Sequence, residues 1–344
     1  MNKTNKIYLV LAVFAAILNS CKNSDITFPD FDYQTVYFAS QYPVRTLELG
    51  EDLYVDTSID NEHKVEIKAA TGGVYSNGNN IVIDFNVSEL ICNNLYFKES
   101  GKPVVPMPSS YYKLASNKIA IPKGSFLGGV EVQLTDAFFN DPLSLSNNYV
   151  IPLIMTNVQG ADSILLGSPT VDNPDRCIDS DWTVKPRDFV LYAIKYVNPW
   201  HGNYLRRGVD QITGANGVST SVRRESNVER DELVTVKTNS LTKSILPLTI
   251  KDSGGSNVNF ELTLTFASDE TCTVSGSTNV FEVSGSGKFI KLGEKNSIGG
   301  KDRNALYLDY SVNFKNLNLQ YATKDTLVVR DRAVSPEYFT VERR

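Results

Sequence analysis

Hydrophobic and polar residues alternate in several long runs of this 344-residue chain. The longest runs cover residues 258–266 and 306–314, and shorter ones cover 81–87 and 130–134. A period of two places one face against a core and the other outside, which predicts half-buried antiparallel strands. No stretch keeps the helical period for three turns, so the pattern predicts an all-β chain. Short helical turns are expected only within residues 87–94 and 135–139.

Proline and charge divide this pattern into parts. Residues 169–187 carry three prolines among several aspartates, which suits a linker better than a sheet interior. Residues 35–168 suit a two-sheet, immunoglobulin-like antiparallel β-sandwich. Residues 188–344 have long alternating strands joined by tight turns, which predicts an antiparallel up-and-down β-barrel. Residues 21–34 are polar and are expected to act as a tether.

The amino terminus has the features of an export signal. Two lysines precede an apolar run over residues 7–18, which is too short to span a bilayer. The run ends in Leu18-Asn19-Ser20-Cys21, which resembles a bacterial lipobox. Residues 1–20 are therefore predicted to be a lipoprotein signal peptide, with a lipid on Cys21 anchoring the protein in a membrane. The alternative is an ordinary secretory signal followed by an incidental cysteine.

Charge and cysteine content narrow the class of protein. The formal net charge is −5, whereas a nucleic-acid-binding protein needs a basic face, so a nucleic-acid partner is excluded. Beyond Cys21 the chain has Cys92, Cys177 and Cys272, none of them in a Cys-x-x-Cys pair. They form either one disulfide and one thiol or three separate buried thiols, and the burial preference of cysteine favours the second.

A family resemblance can be added to these patterns. Residues 35–168 resemble the N-terminal β-sandwich of Bacteroidetes lipoproteins, the domain-of-unknown-function 1735 (DUF1735) family, in segments 36–39, 108–114, 121–125 and 149–153. Residues 189–344 resemble the lipocalin-like or calycin-like domain often fused behind it, in segments 195–208 and 324–332. The resemblance implies an outer-membrane, cell-surface lipoprotein of a polysaccharide-utilisation locus. Such a protein would bind a glycan ligand and assist an outer-membrane transporter complex.

Sugar sites use aromatic faces that stack on a pyranose ring, flanked by hydrogen-bonding groups. The candidate glycan-binding residues are Trp182, Trp200, His201, Tyr204, Arg206 and Arg207. The calycin resemblance offers another role for part of this set, because Gly202-Asn203-Tyr204 with Arg330 or Arg332 could close one end of the barrel. That role is favoured for Trp200, since large aromatic side chains are usually core, whereas for Trp182 both roles stay open.

Two arginine pairs, Arg206-Arg207 and Arg223-Arg224, could hold an anionic glycan through bidentate hydrogen bonds. Solvated charges on exposed barrel loops are the favoured interpretation, because most charged side chains are simply exposed.

Catalytic and metal motifs are not found. The chain has only two histidines, and no Gly-x-Ser-x-Gly, His-Glu-x-x-His or phosphate-binding loop occurs. Asp172, Asp175, Asp179 and Asp181 do not match the spacing of a calcium loop. The expectation is a non-enzymatic protein with no cofactor and no metal. Two alternatives to glycan binding remain, a structural or partner-binding surface lipoprotein and a barrel that carries a small apolar ligand.

Overall fold

The computed structural model describes residues 30, 32–215, 217–252 and 254–344. The predicted signal peptide and Cys21 lie outside the described residues. Strands make up 54% of the described residues and helices 8%, which confirms the predicted all-β fold class. Among the described helices, none has the length and apolar character needed to cross a membrane.

Fourteen strands lie in the described residues of the N-terminal part. They are β1 (Thr35–Tyr37), β2 (Pro43–Glu48), β3 (Lys64–Gly72), β4 (Ile81–Val87), β5 (Leu95–Phe97), β6 (Val105–Pro106), β7 (Tyr112–Leu114), β8 (Lys118–Ile121), β9 (Leu127–Leu134), β10 (Tyr149–Gln159), β11 (Ser163–Ile164), β12 (Ser168–Pro169), β13 (Trp182–Val184) and β14 (Phe189–Val197). Two short helices are α1 (Ser58–Asn61) and α2 (Asp136–Asn140), and 3₁₀ turns cover Glu89–Cys92, Pro142–Leu145 and Asp179–Asp181. The helical turns predicted within 87–94 and 135–139 are confirmed.

The central path of the main N-terminal sheet runs β1-β3-β9-β8-β4-β10-β14-β2. Inward side chains such as Ile67, Ile83, Val130 and Ile151 are fully buried in one core. Most pairings are antiparallel as predicted, but β2 runs parallel to β14, and two short pairings, β1–β11 and β6–β10, are also parallel. The main N-terminal sheet is therefore mostly rather than wholly antiparallel.

The C-terminal part forms the barrel. Its strands are β15 (Gly202–Gly214), β16 (Gly217–Arg223), β17 (Glu232–Thr238), β18 (Lys243–Lys251), β19 (Asn257–Phe266), β20 (Thr271–Ser277), β21 (Phe281–Glu294), β22 (Arg303–Phe314) and β23 (Leu319–Asp331), with 3₁₀ turns at Val228–Arg230 and Ile298–Gly300. Pairing of β23 with β15 closes a ring of eight antiparallel strands, and β16 pairs with the second half of β15. The alternating apolar residues of β19 and β22 point into the barrel core, as the period of two predicts.

The predicted start of the barrel domain at residue 188 is wrong. Strand β14 pairs with β10 and β2, so residues 189–197 belong to the N-terminal sheet. Its residues are almost continuously buried, since neighbours cover both faces, and such a strand lacks the alternation of a barrel wall. The chain end also returns to the N-terminal part, where β24 (Glu337–Tyr338) pairs with β2 and β25 (Val341–Arg343) with β5.

Residues 169–187 were predicted to be a linker, but they pack against the N-terminal part and do not form a free connection. Strands β12 and β13 pair, and Cys177 is buried in a core that also contains Phe189. Arg176 donates to the buried carboxylate of Asp188, and Arg343 pairs with Asp175. The segment forms only this two-stranded pairing and is not part of the main sheet, and its ion pairs fix it in place. Like Cys177, Cys92 and Cys272 are buried free thiols, in agreement with the favoured interpretation.

Candidate functional site

One end of the barrel is closed by side chains that the sequence had suggested for sugar binding. The Trp200 ring is buried and stacks on Phe266 with 3.7 Å between ring centroids, and its Nε1 donates to Glu270. Tyr204 is fully buried and donates to the carbonyl oxygen of Trp200. Arg332 donates to the carbonyl oxygens of His201 and Asn198. This is the closing element that the calycin resemblance implies, so both rings serve the core and are not exposed to a ligand.

Arg332 also joins the barrel to the N-terminal part. Its guanidinium donates to the carbonyl oxygens of Leu49 and Glu51, as well as to the two barrel carbonyls. Of the two arginines that the sequence offered for the closing element, Arg332 takes the role, while Arg330 is half exposed on the outer surface. Buried carbonyl groups need donors, and one arginine supplies several of them across the domain junction.

His201 lies beside this closed end. Its Nδ1 accepts a hydrogen bond of 3.1 Å from the backbone N–H of Thr238. Burial, and then the positive charge of Arg332, lower the pKa of His201 to about 4. The imidazole is therefore neutral at neutral pH, and the hydrogen bond of Nδ1 places its proton on Nε2.

Trp182 lies away from the closed end of the barrel, in the N-terminal part. It begins β13 in the packed segment of the N-terminal part, and its Nε1 donates to the carbonyl oxygen of Asp175 at 2.8 Å. The ring stays partly exposed. The six sequence candidates therefore do not form one site, because they divide among the N-terminal part, the closed barrel end and the region of Arg206 and Arg207.

Arg206 and Arg207 point to opposite sides of the barrel wall, as neighbouring strand residues must. Arg206 is buried inside, where it pairs with Asp325 at 2.9 Å and Glu232 at 3.1 Å. Arg207 pairs with Asp231 on the outer side. The expectation of exposed loop charges is therefore wrong for both arginines, because both side chains are mostly buried and lie on strand β15.

These inner charges form one network. Asp325 is fully buried and bridges Arg206 to Arg223, whose Nη2 lies 2.7 Å from its Oδ1. Arg223 also pairs with Asp210 at 2.8 Å. A Cβ at Gly208 would lie 2.3 Å from Oδ1 of Asp325, so glycine is needed there to admit the carboxylate. Because each charge has an opposite partner, the cost of burying the network is offset.

Protonation in this network follows from its geometry. Burial by itself would raise the pKa of Asp210, but the hydrogen bonds and charge of Arg223 outweigh it and hold that pKa below its usual value. Burial and the charge of Asp325 raise the pKa of Tyr310, so its phenol stays protonated and donates to Asp325 at 3.0 Å. Asp210 therefore serves as a charged acceptor and not as a proton donor.

The network faces a cavity of about 390 Å³, which we call the barrel pocket. Its lining includes Arg206, Asp210, Arg223, Tyr310, Tyr321 and Thr323. The two tyrosine rings lie beside the charged groups, so the wall offers both apolar faces and hydrogen-bonding atoms. Its volume falls in the range of small-ligand sites.

A second cavity of about 710 Å³, which we call the wall cleft, opens beside the pocket. It arises because β17 and β18 pair at only two positions, whereas β18 and β19 pair at nine. The strands diverge beyond these two pairs, and Pro247, which lacks an N–H, lies on this open stretch of β18. The cleft is lined by Val234, Thr235, Leu248, Thr249, Asn259 and Phe281. Glu232, Thr249 and Phe260 line both cavities, so the cleft and the pocket adjoin.

Of the six candidates only Arg206 lines the barrel pocket, and the other residues of this site were not predicted, although one signal was present. Arg206, Gly208 and Asp210 share one face of β15, and that face points into the barrel. Charged residues at inward positions of neighbouring strands indicate a polar interior. Within the part of the chain that the structure describes, no group of three His, Cys, Asp or Glu side chains is placed to hold a metal ion.

Comparisons with known proteins follow the two-part division. Residues 199–333 match DUF5627, a domain family of unknown function, and residues 31–162 match a family described as an N-terminal domain. A search of curated proteins found no match. A solved structure of a Bacteroides ovatus protein of unknown function is 57% identical, with a TM-score of 0.87, and the match covers 91% of this chain and all of that one.

A second solved structure is more distant. An auxiliary nutrient-binding protein from Bacteroides thetaiotaomicron is 14% identical, with a TM-score of 0.39, and the match covers 83% of this chain and 90% of that one. This similarity is too low to define a shared fold.

Proposed function

Since the chain belongs to the family of the Bacteroides ovatus protein of unknown function, we propose a function from the site itself, the binding of an oligosaccharide in the wall cleft and barrel pocket. The observation that carries the proposal is the joined cavity, in which aromatic and apolar side chains alternate with hydrogen-bonding groups. A sugar has both kinds of surface, because its C–H faces are apolar and its edges are covered with hydroxyl groups.

The charges of the pocket suit a neutral sugar. Asp210, Asp325 and Glu232 are paired with Arg206 and Arg223, so the wall carries strong donors and acceptors with little unbalanced charge. A hydrogen bond to a charged group is about twice as strong as one between neutral groups. Hydroxyl groups can both donate to the carboxylates and accept from the guanidinium groups.

The cleft adds neutral polar groups at its rim. The Thr249 hydroxyl donates to Oδ1 of Asn259 at 2.8 Å, which leaves the Asn259 amide nitrogen to donate to a ligand. Leu248 and Phe260 are buried beneath them and form an apolar floor. An apolar ligand is less suited to the pocket, because it would cover Arg206 and Arg223 without offering them any hydrogen bond. This argues against the alternative of a carrier for apolar molecules.

The setting of this binding function is proposed from the sequence. The lipobox-like Cys21 and the signal peptide predicted before it support a protein that is lipid-anchored in the outer membrane and faces the cell exterior. In that setting a binding protein without catalytic activity would capture oligosaccharides and pass them to an outer-membrane transporter complex. A structural or partner-binding surface lipoprotein is the remaining alternative.

The proposal is tested on an array of plant, host and microbial glycans. Thr249 and Asn259 are exposed, so a Thr249→Ala/Asn259→Ala variant should fold normally. Loss of two hydrogen bonds of about 1 kcal/mol each should weaken binding roughly ten-fold or more. Asn313→Ala, an exposed position on β22 outside both cavities, is the matched control and should bind like the wild type. Absence of binding to any glycan, or equal binding by the double variant, would contradict the proposal.

A further inference from the structure

A third concavity lies on the outer side of the barrel wall, and we call it the arginine groove. It runs between the β16–β17 connection at residues 224–230 and the β21–β22 connection at residues 294–300, with a volume of about 640 Å³. The two connections are tied together, since the backbone N–H of Gly299 donates to the carboxylate of Glu229 at 3.0 Å. This hydrogen bond fixes the two loops relative to each other on the barrel wall.

Four basic side chains line this groove, namely Arg207, Arg224, Arg230 and Lys295. Arg224 and Arg230 are exposed, and neither forms an ion pair with any residue that the structure describes. Arg207 pairs with Asp231 through Nε, while its Nη2 is buried and has no acceptor among the described side chains. Arg207 therefore lines the groove as a paired cation, whereas Arg224 and Arg230 are available to a ligand.

The acidic side chains near the groove are already engaged. Backbone hydrogen bonds, first that of Gly299, lower the pKa of Glu229, so this carboxylate stays ionised and occupied. Glu294 accepts from the phenol of Tyr307 at 2.7 Å, and Asp302 pairs with Lys295 at 2.9 Å. Asp231 accepts from both Arg207 and the backbone N–H of Glu225. The groove lining therefore carries four basic side chains against the two carboxylates of Glu229 and Glu294, which leaves a net positive charge for a ligand.

We propose that the arginine groove binds an oxyanion of an acidic oligosaccharide, a sulfate ester or a carboxylate. The planar guanidinium group donates two parallel hydrogen bonds to such a group, which a lysine cannot do. The proposal rests on oligosaccharide binding as the function and adds a preference for acidic members of that class. It uses side chains on the opposite face of the wall from the barrel pocket, so the two sites can be tested separately.

The test compares a sulfated oligosaccharide with its desulfated counterpart by isothermal titration calorimetry. An Arg224→Gln/Arg230→Gln variant removes the two unpaired cations at exposed positions, where the fold should be unaffected. Arg330→Gln removes an equally exposed arginine of β23 outside the groove and is the matched control. We expect the wild type and the control to prefer the sulfated ligand at least ten-fold, and the double variant to lose that preference. The preference should also fall as salt is raised from 50 to 500 mM, because exposed charges are screened.

The outcomes separate this proposal from the proposed function. A sulfate preference that the double arginine variant loses, while Thr249→Ala/Asn259→Ala keeps it, supports the groove even if neutral sugars do not bind. Equal affinity for the two ligands, or a preference that survives in the double arginine variant, overturns the groove. In that case binding of the desulfated ligand in the cleft would still stand.

Discussion

Asp325 is the residue whose replacement most sharply tests the buried network. Its carboxylate is fully buried and accepts from Arg206, Arg223 and the phenol of Tyr310. Asp325→Asn keeps the shape of the side chain but removes the charge. Arg206 would retain only Glu232 as an ionic partner, and Arg223 would retain only Asp210.

The expected loss of stability follows from this geometry. Removing one member of a buried ion pair costs about 3–5 kcal/mol, because the remaining charge stays buried. Asn keeps one acceptor oxygen and both arginines keep a second partner, so we expect a value near the lower end, about 3 kcal/mol. The loss should appear as a lower midpoint of urea unfolding with an unchanged slope, since the surface exposed on unfolding is the same.

The assay uses the fluorescence of Trp200, with Trp182→Phe as the background for Asp325→Asn and its control, so that the signal comes from the barrel. Asp309→Asn is the matched control, because Asp309 forms an exposed pair with Lys324 on the same barrel. Exposed pairs contribute little, and this control should unfold like its background. A loss below about 1 kcal/mol for Asp325→Asn would refute the view that the charges of the network are buried and tightly coupled.

Two further predictions concern the closed end of the barrel. Burial lowers the pKa of His201 in the folded protein to about 4, whereas its ordinary value is about 6.5. As the pH falls from 6.5 toward 4, the unfolded chain therefore binds a proton at this residue before the folded protein does. The contribution of the neutral imidazole to stability is thus present above pH 6.5 and is lost as the pH falls toward 4. Between pH 7 and 4.5 the wild type should lose about 2 kcal/mol more than His201→Asn in urea unfolding, and equal losses would contradict the buried neutral imidazole. Arg332→Met should leave the carbonyl oxygens of Leu49, Glu51 and His201 without a donor and lower stability by about 3 kcal/mol. It should also separate the unfolding midpoints reported by Trp182 and Trp200, and a single unshifted transition would show that Arg332 does not couple the two parts.

The sequence predicts the strands best where one face is buried and the other exposed. The runs at 258–266 and 306–314 became β19 and β22 because alternation depends only on local burial. Strand β14 was assigned to the wrong part, since its two neighbours, β10 and β2, lie far away in the chain. A strand covered on both faces carries no alternation that indicates its partners.

The site was harder to predict, for a different physical reason. Aromatic side chains suggested Trp200 and Tyr204, but the same rings also fill barrel ends, and their burial decides between the two roles. The wall cleft depends on the divergence of β17 from β18, which is a property of strand pairing that Pro247 alone does not predict. The DUF1735 resemblance, the lipid on Cys21 and the outer-membrane location stay predictions.

The most direct test of oligosaccharide binding is a crystal structure of the protein with a glycan selected by the array. We expect a sugar ring between β17 and β18, with hydroxyl groups within hydrogen-bonding distance of Asn259 and a face against the apolar floor. A bound sugar at Trp182 or elsewhere on the N-terminal part, with the wall cleft empty at saturating ligand, would contradict the assignment of the site.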